Sequence, residues 1–489
     1  MSGVNAPGGA HGGAPAEVKL ILEESPFNGG RFMGWGAHMC WWANRVGYSK
    51  SLVDHAMRLF YSEEGLGLDI ARYNLGGGDD PAHDHVKRSD AAVPGYAKGF
   101  DAEGNLIYDW TADQNQRNVI LAVVATNPDV YVEGFSNSPP YFMTESGCTG
   151  GSITGYDNNL KPEHYADFAE FIAECAKRFK EEWGVEFKSY SPMNEPDTDF
   201  WKAHNNKQEG CHYDRGEVQS QVILATRGAL DRKGLTGVRV AVSEETNVDH
   251  QLRNVDLWSP EALAAVGKIN THTYGGTKRE EMRAKAAALG KNLWMSEVDN
   301  GNVAGADPGN MGAALNLANR IILDLNGLQS SAWIIWDIID IHRDAASTFR
   351  GEKDRTLDQN AGIWGVGMAN HDTGKIELTQ KYYAYGQFTR YINPGDTLIR
   401  STDERSLAAY NKDTGAIKIV TVNTEGEAVT KRYDLSALGR SGKKARVIRT
   451  AGAFDGGEHW ADKGAVDIAD QKFACELPPN SITTFIIDA

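Results

Sequence analysis

Two glutamates close strand-like runs of this chain: Glu195, in Met193-Asn194-Glu195-Pro196 after Val185 to Ser191, and Glu297, at the end of Asn292 to Glu297. Cleaving a glycosidic bond needs one carboxyl group to protonate the leaving oxygen and a second to attack carbon or to activate water. A parallel βα barrel carries its chemistry where its strands end, so two strand-end glutamates point to a carbohydrate-cleaving site. Glu195 is expected to be the general acid/base, kept able to donate a proton by a raised pKa. Glu297 finishes an apolar run, Leu293-Trp294-Met295-Ser296, and is expected to be the nucleophile. Carboxyl groups roughly 5 Å apart imply a covalent intermediate and retention, and a wider gap implies inversion. Retention is the expectation. A lone Asn-Glu-Pro is more often an exposed loop, so the information lies in the pairing.

Neighbouring residues supply candidate partners. Asn194 is placed to hydrogen-bond a sugar hydroxyl. Arg72, ending the second strand in Ala71-Arg72-Tyr73-Asn74, is expected to keep a nearby carboxylate ionised and oriented. Tyr274 and His272 close the sixth strand and are candidates for touching the nucleophile, Tyr274 before His272. Trp35, Trp41, Trp42, Trp201, Trp333, Trp336 and Trp364 concentrate near strand ends, where flat rings can stack on sugars. Trp336 is favoured as the floor of the subsite at the scission point, while Trp333, on the opposite side by alternation, reads as helix-facing filler.

These residues need a scaffold, and the chain supplies the pattern of one. From about Arg31 to Tyr391, strand-like runs alternate with segments of helical period, which implies repeated βα units around a parallel sheet. The candidates are Arg31 to Gly36, Leu68 to Leu75, Val130 to Ser136, Val185 to Ser191, Val238 to Ser243, Lys268 to Thr273, Asn292 to Glu297 and Ser331 to Trp336. Such a set predicts an α/β fold, a (β/α)8 TIM barrel over residues 31–392. Tyr165, Phe168, Phe171, Ile172, Cys175 and Phe179 share one helical stripe, and a helix from Lys278 to Leu289 stops at Gly290. After Asn393-Pro394-Gly395 the period changes to alternation, which predicts an antiparallel β-domain over 393–489. Residues 17–30, with alternating Val18 to Glu23, are expected to add a strand to it.

Composition excludes several classes. The net charge of −16 argues against nucleic-acid and anionic-membrane surfaces and disfavours acidic glycans. Five cysteines without a CxxC pair rule out a dense disulfide framework and point to buried free thiols. Residues 1–16 read as a disordered leader without an export signal, so the chain is cytoplasmic as written or secreted after loss of a signal. Gly76-Gly77-Gly78 lacks any nucleotide fingerprint, and neither HExxH nor GxSxG occurs. Two carboxyl groups suffice for catalysis, so no cofactor or metal is expected, and the chain is expected to act as a monomer on an oligo- or polysaccharide.

With Gly34-Trp35-Gly36, Trp41-Trp42-Ala43, Arg72-Tyr73-Asn74, Ser136-Asn137-Ser138-Pro139-Pro140, Asn194-Glu195-Pro196 and Ser296-Glu297 in view, the chain resembles glycoside hydrolase family thirty over nearly all of residues 17 to 489. The resemblance implies a (β/α)8 barrel fused to a side β-sandwich built from both chain ends. It also implies retaining hydrolysis, with Glu195 as acid/base and Glu297 as nucleophile. Trp35, Arg72, Asn137, Asn194, Tyr274 and Trp336 are then the expected substrate contacts. The stretch Tyr141 to Gly151 with Glu145, and Gly76-Gly77-Gly78-Asp79-Asp80, look most like the β-1,6-galactanase branch, with Asp79, Asp80 and Glu145 as acceptors for hydroxyls. The implied activity is cleavage of β-1,6-galactan, internally or from an end. The alternatives are another specificity of the family (β-1,6-glucan, xylan or glucosylceramide) and a non-catalytic glycan-binding barrel.

Overall fold

The structure is a computed structural model that describes residues 17–78, 86, 91–204, 208–299, 307–343, 348–349, 352–353, 364–439 and 441–489. The leader, Asp79 and Asp80 lie outside them. Eight strands, Gly34–His38, Ile70–Asn74, Tyr131–Phe135, Phe187–Ser191, Arg239–Asn247, Val266–Gly275, Asn292–Val298 and Ala332–Ile335, pair in chain order and close into a barrel. Every pairing within it is parallel.

The helices follow from their stripes. Tyr165–Trp183 buries Phe168, Phe171, Ile172, Cys175 and Phe179 against the barrel and ends at Gly184, whose φ of 67° is left-handed. Arg279–Ala288 stops just before Gly290, at φ 63°.

Inside the barrel the inward side chains form layers. Ile70, Trp294, Ala332 and Ile334 make an apolar plug at the bottom, with Tyr131 packed against it. Above it the filling turns polar: Lys268, Arg72, Glu133 and Asn270 are all fully buried.

Glu17–Glu24 and the strands after residue 393 form a nine-stranded sheet around a second core that includes Val18, Leu20, Ile419, Tyr433, Phe473 and Phe485. Glu17–Glu24 runs antiparallel to Thr397–Ser401 and parallel to Val429–Asp434, so both ends of the chain build this side domain. Its attachment to the barrel runs through helix Gln380–Thr389: Trp460 donates its indole N–H to Tyr383 O at 2.7 Å, and the Arg390 guanidinium lies 4.4 Å from the Trp460 ring centre.

Sequence periodicity misses two smaller elements, the hairpin Ala97–Phe100 with Leu106–Tyr108 and the sheet of Ile339–Arg343, Gly367–Asn370 and Lys375–Leu378. Their strands are too short for alternation to stand out, and the hairpin is organised by its turn, where Asp101 Oδ1 accepts from the backbone N–H of Glu103 and Asn105.

The expectation that Trp35 stacks on sugar needs correction. Its side chain points out of the barrel, is wholly buried, donates to Ile392 O at 2.7 Å and packs edge-on to Phe32 and Tyr385. Adjacent residues of a strand face opposite ways, so proximity to a strand end did not place this ring at the mouth. Trp333 also faces outward, with its indole N–H 3.2 Å from Asp324 Oδ2. Trp35→Ala is expected to cost about 3–5 kcal/mol of stability in denaturant unfolding. A loss under about 1 kcal/mol would contradict this packing.

Candidate active site

Two irregularities of the barrel aim the acidic side chains. Met295 pairs with Thr271 and Glu297 with His272, so Ser296 is an extra residue in the seventh strand. Such a bulge lets consecutive residues face the same side. Accordingly, Ser296 donates its hydroxyl to Glu244, and Glu297 reaches the mouth beside it. The fifth strand shifts register between Ser243 and Glu245, and Glu244 there has a φ of 64°. Glu195, at φ 46°, donates its backbone N–H to Glu244 O at 2.9 Å. Left-handed backbone at non-glycine residues costs on the order of 1 kcal/mol or more and persists where surroundings enforce it.

Glu195 and Glu297 face one another across His272. One oxygen of each carboxyl group and a ring nitrogen of His272 all lie within 4.8 Å of one another. His272 Nδ1 is 3.3 Å from Glu195 Oε1 and 3.7 Å from Glu297 Oε1, and Nε2 is 3.2 Å from Glu244 Oε2. Tyr274 donates its hydroxyl to Glu297 Oε1 at 3.0 Å. Among the described residues no donor bonds to Glu297 Oε2. The nearby ring is His38, whose Nε2 is 3.4 Å from that oxygen and 2.6 Å from Arg72 Nη1. Arginine can only donate, so toward Arg72 His38 Nε2 is an acceptor, while the same nitrogen lies 3.0 Å from the Ser296 carbonyl. One Glu297 oxygen is therefore anchored and the other left open.

Arg72 lies one layer below. It donates from Nε to Glu133 Oε1 at 2.8 Å and from Nη2 to Glu244 Oε1, with no exposed surface. The expectation that it contacts substrate is corrected accordingly, since its hydrogen bonds go to Glu133, Glu244, His38 and the Ser296 carbonyl, while its charge helps keep Glu244 and Glu297 ionised. Asn270 completes this layer, donating to Glu133 at 2.9 Å and to Glu244 at 2.6 Å. Glu244, Glu133, His38 and Asn270 escaped the sequence reading. Their signal was present: Glu133 interrupts Val132-Glu133-Gly134-Phe135, and Lys268, Asn270, His272 and Tyr274 recur at the strand period of two.

The charges follow from these contacts. Burial lowers the pKa of His272, but Glu297, Glu195 and Glu244 together outweigh it and lift the ring to about 10, so it is an imidazolium. Glu244 is drawn far below the usual carboxylate range by Arg72 and His272 against the opposing effect of burial. Burial pushes Glu297 up to about 7; His272 and Arg72 oppose that rise, and Glu195 adds to it. Tyr274, donating to Glu297, favours the arrangement in which Glu297 is the carboxylate.

Among the described residues, the side-chain oxygen of Asn194, a residue 2 % exposed, has no partner, and neither does that of Asn137, whose nitrogen lies 4.0 Å from Cys40 Sγ. Trp336 packs 4.9 Å from the His38 ring and 5.0 Å from Trp41, alongside Phe135. Glu145 is not with this group: it lines a separate cavity of about 480 Å³ with Ser152, Asn159 and Asp214. All five cysteines are free thiols. A second acidic group, Asp197, Glu245 and His250, has the spacing of cation ligands, but Arg215 and Arg253 already pair with the two Asp197 oxygens.

The model of O-glycosyl hydrolase family 30 matches residues 32–257. The chain is 27% identical to an endo-β-1,6-galactanase of Hypocrea rufa over 96% of this chain and 95% of that protein. It is 25% identical to an exo-β-1,6-galactobiohydrolase of Bifidobacterium longum over 86% of this chain, which spans 35% of that longer protein. In fold it matches the catalytic domain of a family 30 xylanase from Talaromyces cellulolyticus with a TM-score of 0.70 at 16% identity, covering 97% of this chain and all of the other.

The Glu297 proton is directly measurable. In a carboxyl ¹³C NMR titration Glu297 is expected to show a midpoint near 7, and Glu195→Gln should move that midpoint down by removing a negative neighbour. An unmoved midpoint would separate the two groups electrostatically.

Proposed function

The chain belongs to glycoside hydrolase family 30, and we propose that it hydrolyses β-1,6-linked galactan, such as arabinogalactan side chains, with retention of configuration. The observation that carries the mechanism is the Glu195–Glu297 pair, with oxygens within 4.8 Å on either side of an imidazolium. That spacing suits a covalent intermediate and leaves no room for a water between carboxylate and sugar. Glu195 gives its proton to the glycosidic oxygen while Glu297 Oε2, the oxygen without a donor, attacks the anomeric carbon, and the bond to the leaving sugar breaks. Water then attacks the same carbon, its proton passes to Glu195, and Glu297 is released as a carboxylate. Tyr274 holds the other Glu297 oxygen, and the orphaned side-chain oxygens of Asn194 and Asn137 are available to sugar hydroxyls. The chemistry requires no cofactor.

The galactan substrate rests on two relatives named for β-1,6-galactan chemistry, one of them matched along nearly its whole length. The fold likeness to a xylanase favours a second reading, another specificity of the same family. Sugar release from β-1,6-galactan, β-1,6-glucan and glucuronoxylan separates the two; galactan is expected to be cleaved, and cleavage of only the others would reject the first reading.

The first-formed product, followed by NMR, should carry the β anomer, and an α product would exclude the double displacement. Glu297→Gln should lower kcat by on the order of 10⁴-fold while leaving Kd for oligosaccharide largely intact. For wild type, kcat/KM is expected to rise as pH rises through about 7, where Glu297 loses its proton and becomes the attacking carboxylate. Glu195→Gln, assayed on an aryl glycoside whose leaving group needs no proton, should move that limb to lower pH.

A further inference from the structure

Residues Asp197 to Phe200, starting two residues after Glu195, form one wall of a cavity of about 630 Å³. The other walls come from His212 to Arg215 and from the end of the fifth strand with the helix after it, Thr246 to Arg253. This wall is tied to Glu195: the Thr198 hydroxyl and the Trp201 indole N–H donate to the Glu195 carbonyl at 3.0 and 3.1 Å. Its polar groups are held in place. Arg215 meets Asp197 Oδ1 at 3.0 Å, Arg253 takes the other oxygen, and His212 bridges Thr198 O and Asp214 at 2.7 and 3.1 Å. At the rim stand two large exposed rings, Phe200 at 47% and Tyr156 at 59%. The cavity that holds Glu145 shares Asp214 with this one and carries Ile153, 71% exposed, so the trough continues outward.

We propose that this cavity is the leaving-group subsite, taking two or more neutral hexosyl units on the reducing-end side of the scissile bond. The inference rests on Glu195 being the proton donor, because the donor must stand on the side of the departing oxygen. Glu297 is bounded instead by Tyr274 and His38, with Trp336 against the His38 ring, which places the retained sugar on that side. The volume lies in the range that encloses compact ligands. Exposed aromatic faces suit the C–H faces of sugar rings, and prearranged carboxylates and guanidinium groups suit their hydroxyls. The Asp197, Asp199 and Asp214 charges are nearly matched by Arg215 and Arg253, so the cavity selects for neutral rather than anionic sugars. A trough extending away from the pair on this side accommodates cleavage within a chain rather than only at its end.

The test compares two substrates of one sugar series: borohydride-reduced oligosaccharides, which fill the leaving side, and an aryl glycoside, which does not. In Phe200→Ala, Tyr156→Ala and the double variant, the ratio of kcat/KM for oligosaccharide to that for aryl glycoside is expected to fall about tenfold, with the loss mainly in KM. Wild type should also leave two or more units attached to the reduced end, and the variants should shift toward single units. A ratio unchanged in all three variants, whether both rates hold or fall together, overturns the proposal, and any general destabilisation cancels in the ratio. If wild type ignores β-1,6-galactan, the substrate reading fails, and the same comparison is made in the series it does cleave, so the two failures stay distinct.

Discussion

The Arg72 guanidinium, wholly buried in the barrel, is the constraint on which the site depends. A cation cannot leave water without partners that replace its solvation, and removing one partner from such a group costs about 3–5 kcal/mol. Glu133 and Glu244 supply the counter-charges and His38 accepts a further bond. Each of these is then locked in turn. Glu244, held by Arg72, Asn270 and Ser296, presents its second oxygen to His272, and His272 stands between the Glu195 and Glu297 carboxyl groups. The imidazolium above answers the carboxyl groups of Glu297, Glu195 and Glu244, and the last of these is held in place by the guanidinium beneath.

This network explains the local departures from regular structure. A strand of strict period two cannot point both Ser296 and Glu297 inward, yet Ser296 is needed on Glu244 and Glu297 at the mouth. The bulge resolves that conflict. The left-handed backbone at Glu195 and Glu244 has the same origin, with the N–H of one bonded to the carbonyl of the other. The strain is sustained by the surrounding hydrogen bonds rather than by the two residues themselves.

The rest of the molecule keeps this arrangement rigid and leaves one side of it open. The outward face of the first strand is clamped by Trp35 onto the last turn before the side domain, and Trp460 and Arg390 join that domain to the final helix. On the other side, the connections after the fourth and fifth strands turn aromatic and charged groups toward solvent around a cavity whose wall starts two residues after Glu195. Loops carry recognition because the barrel beneath them does not move.

Alternation and helical period made the barrel, the side β-domain and the order of the strands legible in the amino-acid sequence, because burial imposes those periods locally. Glu195, Glu297 and Tyr274 could be singled out for a related reason: a strand-end position is a local property, and polar residues there stand out against apolar runs. Which polar residues meet was decided by tertiary structure alone. Trp35 and Arg72 sit near strand ends just as Tyr274 does, but barrel closure turns one into the outer packing, sinks the other beneath the floor and brings the third to Glu297. Glu244 and Glu133 gain their meaning only when strands five and three are closed around Arg72, and register shifts of a single residue set which face each side chain takes. Pairing across a closed sheet is a long-range property, and no window of sequence contains it.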